Sequence, residues 1–129
     1  MSKKVVYTPK SPEPIGPYSQ AVIANNFLFV SGQIPINPET NELIDGNIEE
    51  QTKIVMENLM NIVNSAELGA ENIVKITIFL KDINDFNAVN GIYRQFFDDK
   101  PPARAVVQVA GLPKGVSVEM DAVAYLPIK

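Results

Sequence analysis

Two rhythms of apolar and polar positions alternate along this chain. Ala21-Val22-Ile23-Ala24 and Phe27-Leu28-Phe29-Val30 are short apolar runs around Asn25-Asn26, the mark of a hairpin with a two-residue turn. Ile73 to Lys81 alternates: Val74, Ile76, Ile78 and Leu80 face one way, and Ile73, Lys75, Thr77, Phe79 and Lys81 the other. That spacing predicts a strand. The longest alternation spans Val116 to Leu126, with Val118, Met120, Ala122 and Ala124 on one face and Ser117, Glu119, Asp121, Val123 and Tyr125 on the other. Val5-Val6-Tyr7, ended by Pro9, and Ala103 to Val109 complete a set of six strands.

Between these runs the apolar period becomes helical. Val55, Met56, Leu59, Ile62, Val63 and Ala66 fall on one helix face. Asn47 followed by Glu50 reads as its capping box, and Gly69 as its stop. A second helix is predicted from a cap at Asp85, burying Phe86, Val89, Tyr93, Phe96 and Phe97, and broken by Pro101-Pro102. Ser11 to Pro17, rich in proline, and Ile34 to Gly46, without periodicity, read as loops; Leu112 to Gly115 reads as a turn.

The order β, β, β, α, β, α, β, β gives two amphipathic helices that must bury their stripes. An α+β fold satisfies this: a two-layer sandwich of a mixed six-stranded sheet with both helices on one face. The other face, with Ile73, Phe79, Val123 and Tyr125 among polar residues, is then uncovered. An open face this apolar is better explained by subunit association than by solvent.

Composition narrows the chemistry. Residues 1–129 suit a single domain that can bury a core without a disulfide or metal staple. The chain has no cysteine and no histidine. Thiolate nucleophiles, histidine bases, the serine and cysteine triads and the commonest metal ligands therefore drop out together. No phosphate loop, paired metal ligand or dinucleotide fingerprint is present, so no cofactor or metal is expected. A net charge of −4 with no basic block disfavours nucleic acid as a partner. No segment has a signal peptide's apolar region or transmembrane length, so no membrane partner and a cytoplasmic location are expected.

Arg104 lies in Ala103-Arg104-Ala105-Val106-Val107, a strand with no other charge. A guanidinium in apolar surroundings needs an anion or carbonyls, and its planar fork suits a carboxylate. It reads either as a receptor for a substrate carboxylate or, more plainly, as half of an internal ion pair. Glu119, with Asp121, supplies the only acids of the last strand; it reads as a group that orients or deprotonates a water, or as a solvated surface acid. Arg104 and Glu119 sit on successive strands across a short turn, close enough in sequence to be spatial neighbours. Tyr18 follows Gly16-Pro17 in a loop, as a packing lid or a site residue. Ser31-Gly32 ends a strand where glycine admits close approach. Arg94 reads as a solvated helix residue, and Asn90 and Tyr93 as stabilising or site residues.

The chain also resembles the Rid family, the reactive intermediate deaminases described as 2-iminobutanoate/2-iminopropanoate deaminases. The resemblance rests on Ile15-Gly16-Pro17-Tyr18-Ser19-Gln20-Ala21, Ser31-Gly32-Gln33-Ile34-Pro35 and Asn84-Asp85-Phe86 leading to Asn90 and Tyr93. It continues through Pro102-Ala103-Arg104, Leu112-Pro113-Lys114 and Val118-Glu119-Met120-Asp121-Ala122. It implies a chorismate-mutase-like fold and a homotrimer, with three sheets lining a barrel and ligand clefts between subunits. It implies that Arg104 binds the carboxylate of a small 2-imino or 2-enamino acid and that Glu119 positions the attacking water. Tyr18, Ser31, Gly32 and Asn90 would line or shape the cleft, with backbone groups near Gly32 and Val106 steadying the nitrogen. Val106 stands where many relatives have cysteine, and Gly111 where many have arginine. The reaction implied is hydrolysis to a 2-keto acid and ammonia; a non-catalytic trimeric metabolite-binding or regulatory protein using the same cleft is the alternative.

Overall fold

The computed structural model describes residues 3–127. Six strands form one mixed sheet in the order β1-β2-β3-β8-β6-β7, and two α-helices cover one face of it. They are β1 (Lys4–Val6), β2 (Ala21–Ala24), β3 (Phe27–Gln33), β6 (Ile73–Leu80), β7 (Ala103–Gln108) and β8 (Val118–Tyr125). The helices are α1 (Ile48–Ser65) and α2 (Phe86–Tyr93). All pairings are antiparallel except β6 with β7. That parallel step follows from chain economy: α2 is the crossover that a parallel neighbour requires.

The core lies between the helices and the covered face. Met56, Leu59 and Ile62 of α1 meet Leu28, Ile76, Ile78, Leu80, Val118 and Met120, all of them wholly or almost wholly buried. Each such side chain contributes roughly 1.5–3 kcal/mol relative to exposure. α1 starts as the sequence predicts: Asn47 Oδ1 accepts from the Glu50 amide at 2.8 Å, and the reciprocal bond completes the capping box.

Four local expectations are corrected. The segment from Ile34 to Gly46 is not wholly loop: β4 (Ile36–Asn37) and β5 (Glu42–Leu43) pair as a small hairpin, too short to show periodicity. The first helix ends at Ser65 with Ala66 as its C-cap, and it is stopped by Glu67 rather than Gly69; Glu67 takes the left-handed conformation (φ 63°), and the Leu68 amide donates to the Val63 carbonyl. Asp85 makes no side-chain cap; Asp82 makes one instead, to the Asn84 amide, and a short 3-10 turn leads into α2. Finally, the β6–β8 register shifts between Ile73 and Lys75, so Ile73 turns into the core and Val74 outward.

Among the described residues no helix lies over the opposite sheet face. Val5, Phe27, Phe29, Val107 and Tyr125 stand exposed there, around the polar Lys75, Thr77, Glu119 and Asp121, which the register places on the same side.

Candidate active site

The register decides where each candidate points. In β7 the parallel pairing sets Arg104 beside Ile76 and Val106 beside Ile78, so both face the helix layer. In β8, Glu119 pairs with Phe79, while its neighbours Val118 and Met120 enter the core. Arg104 and Glu119 of one chain are therefore on opposite faces of the sheet, with β6 between their strands. The nearness across a turn that the sequence left open does not occur within one chain. The chain after β7 passes over β6 before entering β8, and sequence adjacency becomes a two-strand separation.

The Arg104 half is built by β7 and α2. Its guanidinium carbon lies 4.9 Å from the ring centre of Tyr93 and 5.5 Å from that of Phe86, within cation–π range. Nη1 donates to Asn90 Oδ1 at 2.7 Å. This is the one side-chain hydrogen bond Arg104 makes among the described residues, and its acceptor is a neutral amide rather than a carboxylate. A pocket of about 330 Å³ adjoins it, with Tyr93 and Phe97 as aromatic wall and Arg94 and Asp98 among its other lining residues. The Tyr93 hydroxyl is buried without a hydrogen-bond partner among the described residues, and burial raises its pKa, a shift partly offset by the Arg104 charge. Val106 packs its side chain against the core two residues along the same face.

The Glu119 half is built by β8, β3 and the loop before β2. β3 runs on through Ser31 and Gly32 to Gln33, past the expected end, with an irregular register against β8 between Val30 and Gln33. At that irregularity the Glu119 side chain lies against the Gly32 backbone. A Cβ on residue 32 would overlap Glu119 Oε2 and lie 3.0 Å from its Cδ. Glycine is thus what lets the carboxylate lie across the strand. Burial pushes the Glu119 carboxyl above its usual range, and the nearby Asp121 charge adds to this. Asp121 is raised as well, by burial, against lowering contributions from the Thr77 backbone and Lys75.

The loop that carries Tyr18 is held by one buried side chain. Gln20 Oε1 accepts from the Thr8 amide at 2.8 Å, and its Nε2 donates to the carbonyls of Thr8 and Pro12 at 3.0 and 2.9 Å. Ser31 Oγ donates to the Ser19 carbonyl at 2.6 Å, so its hydroxyl is engaged in shaping this loop. The Tyr18 hydroxyl accepts from the Ile15 amide at 3.2 Å. Tyr18, Ser31, Gly32 and Glu119 share a second pocket of about 310 Å³, together with Ile15, Ile34 and Pro113.

Of the sequence-predicted residues, the fold thus gathers Tyr18, Ser31, Gly32 and Glu119 in one place and Arg104 and Asn90 in another, while Val106 shares the face of Arg104 but packs into the core. Sequence reading missed the aromatic seat. Phe86 read only as core, and the signal that could have found it is its place one helical turn before Asn90 on the face that meets β7. Arg94 is exposed as expected, yet lies at the rim of the Arg104 pocket. Among the described residues no group of three or more His, Cys, Asp or Glu could hold a metal ion, and no helix is long and apolar enough to cross a membrane.

Residues 8–126 match the family described as Endoribonuclease L-PSP. The chain is 46% identical over 122 residues to a human protein named 2-iminobutanoate/2-iminopropanoate deaminase, covering 95% of this chain and 89% of that one. It is 52% identical over 129 residues to a RutC family protein of Synechocystis, covering 98% and 99%. The crystal structure of E. coli TdcF with bound serine matches with a TM-score of 0.92 at 41% identity, over 96% of this chain and 99% of that one.

Proposed function

From the premise that the chain belongs to the endoribonuclease L-PSP family, which its motifs identify under the name Rid, we propose that it is a cofactor-independent deaminase of small 2-imino and 2-enamino acids. The reaction is hydrolysis of 2-iminopropanoate or 2-iminobutanoate: water adds to the imine carbon, the carbon–nitrogen bond breaks, and a 2-keto acid and ammonia leave. The observation that carries this reading is Arg104. Its guanidinium is seated on two aromatic rings, held by a neutral amide and bordered by a pocket. Such a charge is oriented without being neutralised, which is what a receptor for an incoming carboxylate requires.

Glu119 places and activates the water. A carboxyl with a raised pKa is better matched to moving a proton near neutral pH than an ordinary one. Because one chain offers Arg104 and Glu119 on opposite sheet faces, a complete site needs two copies: Arg104, Asn90 and Val106 from one, Tyr18, Ser31, Gly32 and Glu119 from the next. A chorismate-mutase-like homotrimer, its open sheet faces turned inward, meets this need. It also buries Phe27, Phe29, Val107 and Tyr125, which otherwise lie exposed. The protein in this reading is a single Rid-type domain over residues 1–129, acting in the cytoplasm on a small acid without membrane or nucleic-acid partners. RNA cleavage, suggested by the family description, fits poorly with a net charge of −4 and no histidine.

The test is an imine-hydrolysis assay on both acids. Arg104→Ala is expected to remain folded and lose roughly 10²–10³-fold in kcat/KM, the effect of removing one preorganised electrostatic group. Arg104→Lys, which keeps the charge but not the fork, is expected to fall between. Full activity in Arg104→Ala would end this reading. A metabolite-binding protein would instead bind the acid without turnover and be indifferent to Glu119→Gln.

A further inference from the structure

We propose that Asn90 is a self-modification site: its side-chain amide is lost to attack by the Gly91 nitrogen, and the carboxylate left behind ties up Arg104. Asn90-Gly91 is the chain's only Asn-Gly pair. Glycine puts no side chain in the way of the five-membered ring that this attack closes. Gly91 is exposed, and a Cβ there would meet nothing within 4 Å, so the surroundings are open as well. The Arg104 Nη1–H donated to Asn90 Oδ1 at 2.7 Å withdraws electron density from the amide carbon. It also stabilises the oxyanion that forms on attack. An arrangement that holds the arginine thus also activates the asparagine.

The step balances without any oxidant or cofactor. The Gly91 nitrogen loses its proton to solvent base and bonds to the Asn90 side-chain carbonyl carbon. The amide nitrogen leaves as ammonia, taking up a proton, and a succinimide remains. Water then opens either carbonyl, giving aspartate with the original backbone or isoaspartate with the backbone rerouted through the side chain. Attack requires the Gly91 nitrogen to leave the helical ladder, which makes the reaction an ageing process rather than a rapid switch. α2 is a weak guardian of that ladder: it has eight residues, and glycine in a helix interior weakens it.

The consequence rests on the reading of Arg104 as a carboxylate receptor. Once residue 90 carries a negative charge, the neutral acceptor at Nη1 becomes a charge-assisted one, and an incoming carboxylate must displace it.

The experiment ages the purified full chain, warm and at mildly alkaline pH, beside Gly91→Ala and Arg104→Ala. Peptide mass spectrometry follows residue 90. In the wild type, residue 90 is expected to gain one nominal mass unit, and to do so about tenfold more slowly in Gly91→Ala, where the helix is firmer and the ring hindered. Arg104→Ala is also expected to modify more slowly. Isomerisation at Asp45-Gly46 leaves the mass unchanged and cannot imitate the signal. Fresh Asn90→Asp is expected to show a KM for the imine raised about tenfold with kcat little changed, the mark of lost carboxylate binding; unaged Gly91→Ala is expected to keep wild-type activity. The proposal is overturned if residue 90 stays unmodified while other asparagines change. It is equally overturned if Arg104→Ala modifies as fast as the wild type, or if Asn90→Asp leaves KM unchanged. Should the fresh wild type hydrolyse no imine, the deaminase reading falls while the mass measurement still decides the modification.

Discussion

The two halves of the candidate site are built on different principles. The Arg104 half is complete within one chain: β7 supplies the cation, and α2 supplies Phe86, Asn90 and Tyr93 to orient it. The Glu119 half exists by omission. Its carboxylate lies where it does because residue 32 has no side chain, and it stands on the sheet face that neither described α-helix covers. On the proposed reading, charge recognition is prepared before assembly, whereas the place for the water is finished only when a second copy arrives. Mutations in the two halves should therefore fail differently.

The largest effect that separates them is expected from Glu119→Gln. It should leave carboxylate binding intact and lower kcat by about 10²–10⁴-fold, the range for removal of a general base. Thermal melting should show the opposite sign. The folded protein holds the Glu119 proton more tightly than the unfolded chain does. This group therefore favours the fold at acid pH, and that contribution is lost as pH rises through its raised folded value. Glutamine does not ionise, so Glu119→Gln should melt higher than wild type at neutral pH, by a few degrees at most given partial exposure. The gain should vanish below the ordinary carboxylate range. Wild-type turnover should fall as pH drops through the raised value, because the carboxylate is the working form. A pH-independent difference in melting would break this account of Glu119.

A smaller loss is expected from Gly32→Ala. The new methyl cannot share space with the Glu119 carboxylate, but the acid is the end of a flexible side chain and can swing away. The fold should survive and kcat fall by about tenfold, with KM moved less; an equal loss in KM would mean that the two halves are not separable. The smallest effect belongs to Tyr93→Phe. Its hydroxyl is buried without a partner among the described residues, and such a group costs roughly 1–3 kcal/mol. The ring that faces Arg104 is kept, so calorimetry should show an unchanged or higher melting temperature and the assay near-wild-type turnover. A large loss of activity would assign the hydroxyl a role in the site.

How much of this was legible in the sequence follows from the range of the interactions. The Ala21–Val30 hairpin, the Asn47–Glu50 capping box and the two faces of β8 are decided by neighbours in the chain, and they stand as read. In β8 the alternation of Val118 and Met120 with Glu119 already placed the acid away from the core. β7 was mute on the same question, because Ala103, Ala105 and Val107 are as apolar as Val106 and offer no polar face to contrast. The face of Arg104 was therefore fixed only by its pairing with β6. The register shift after Ile73 and the left-handed Glu67 depend on tertiary fit rather than on local pattern. The opposition of Arg104 and Glu119 depends on strand order, which no local pattern states.

Mixed assembly tests the shared site most directly. Arg104→Ala and Glu119→Gln chains, each inactive alone, are refolded together in equal amounts and assayed. If each site takes its arginine from one copy and its glutamate from another, random pairing restores intact sites and about a quarter of wild-type activity returns. Activity that stays at the level of the separate variants, in assemblies shown to be mixed, would contradict the account.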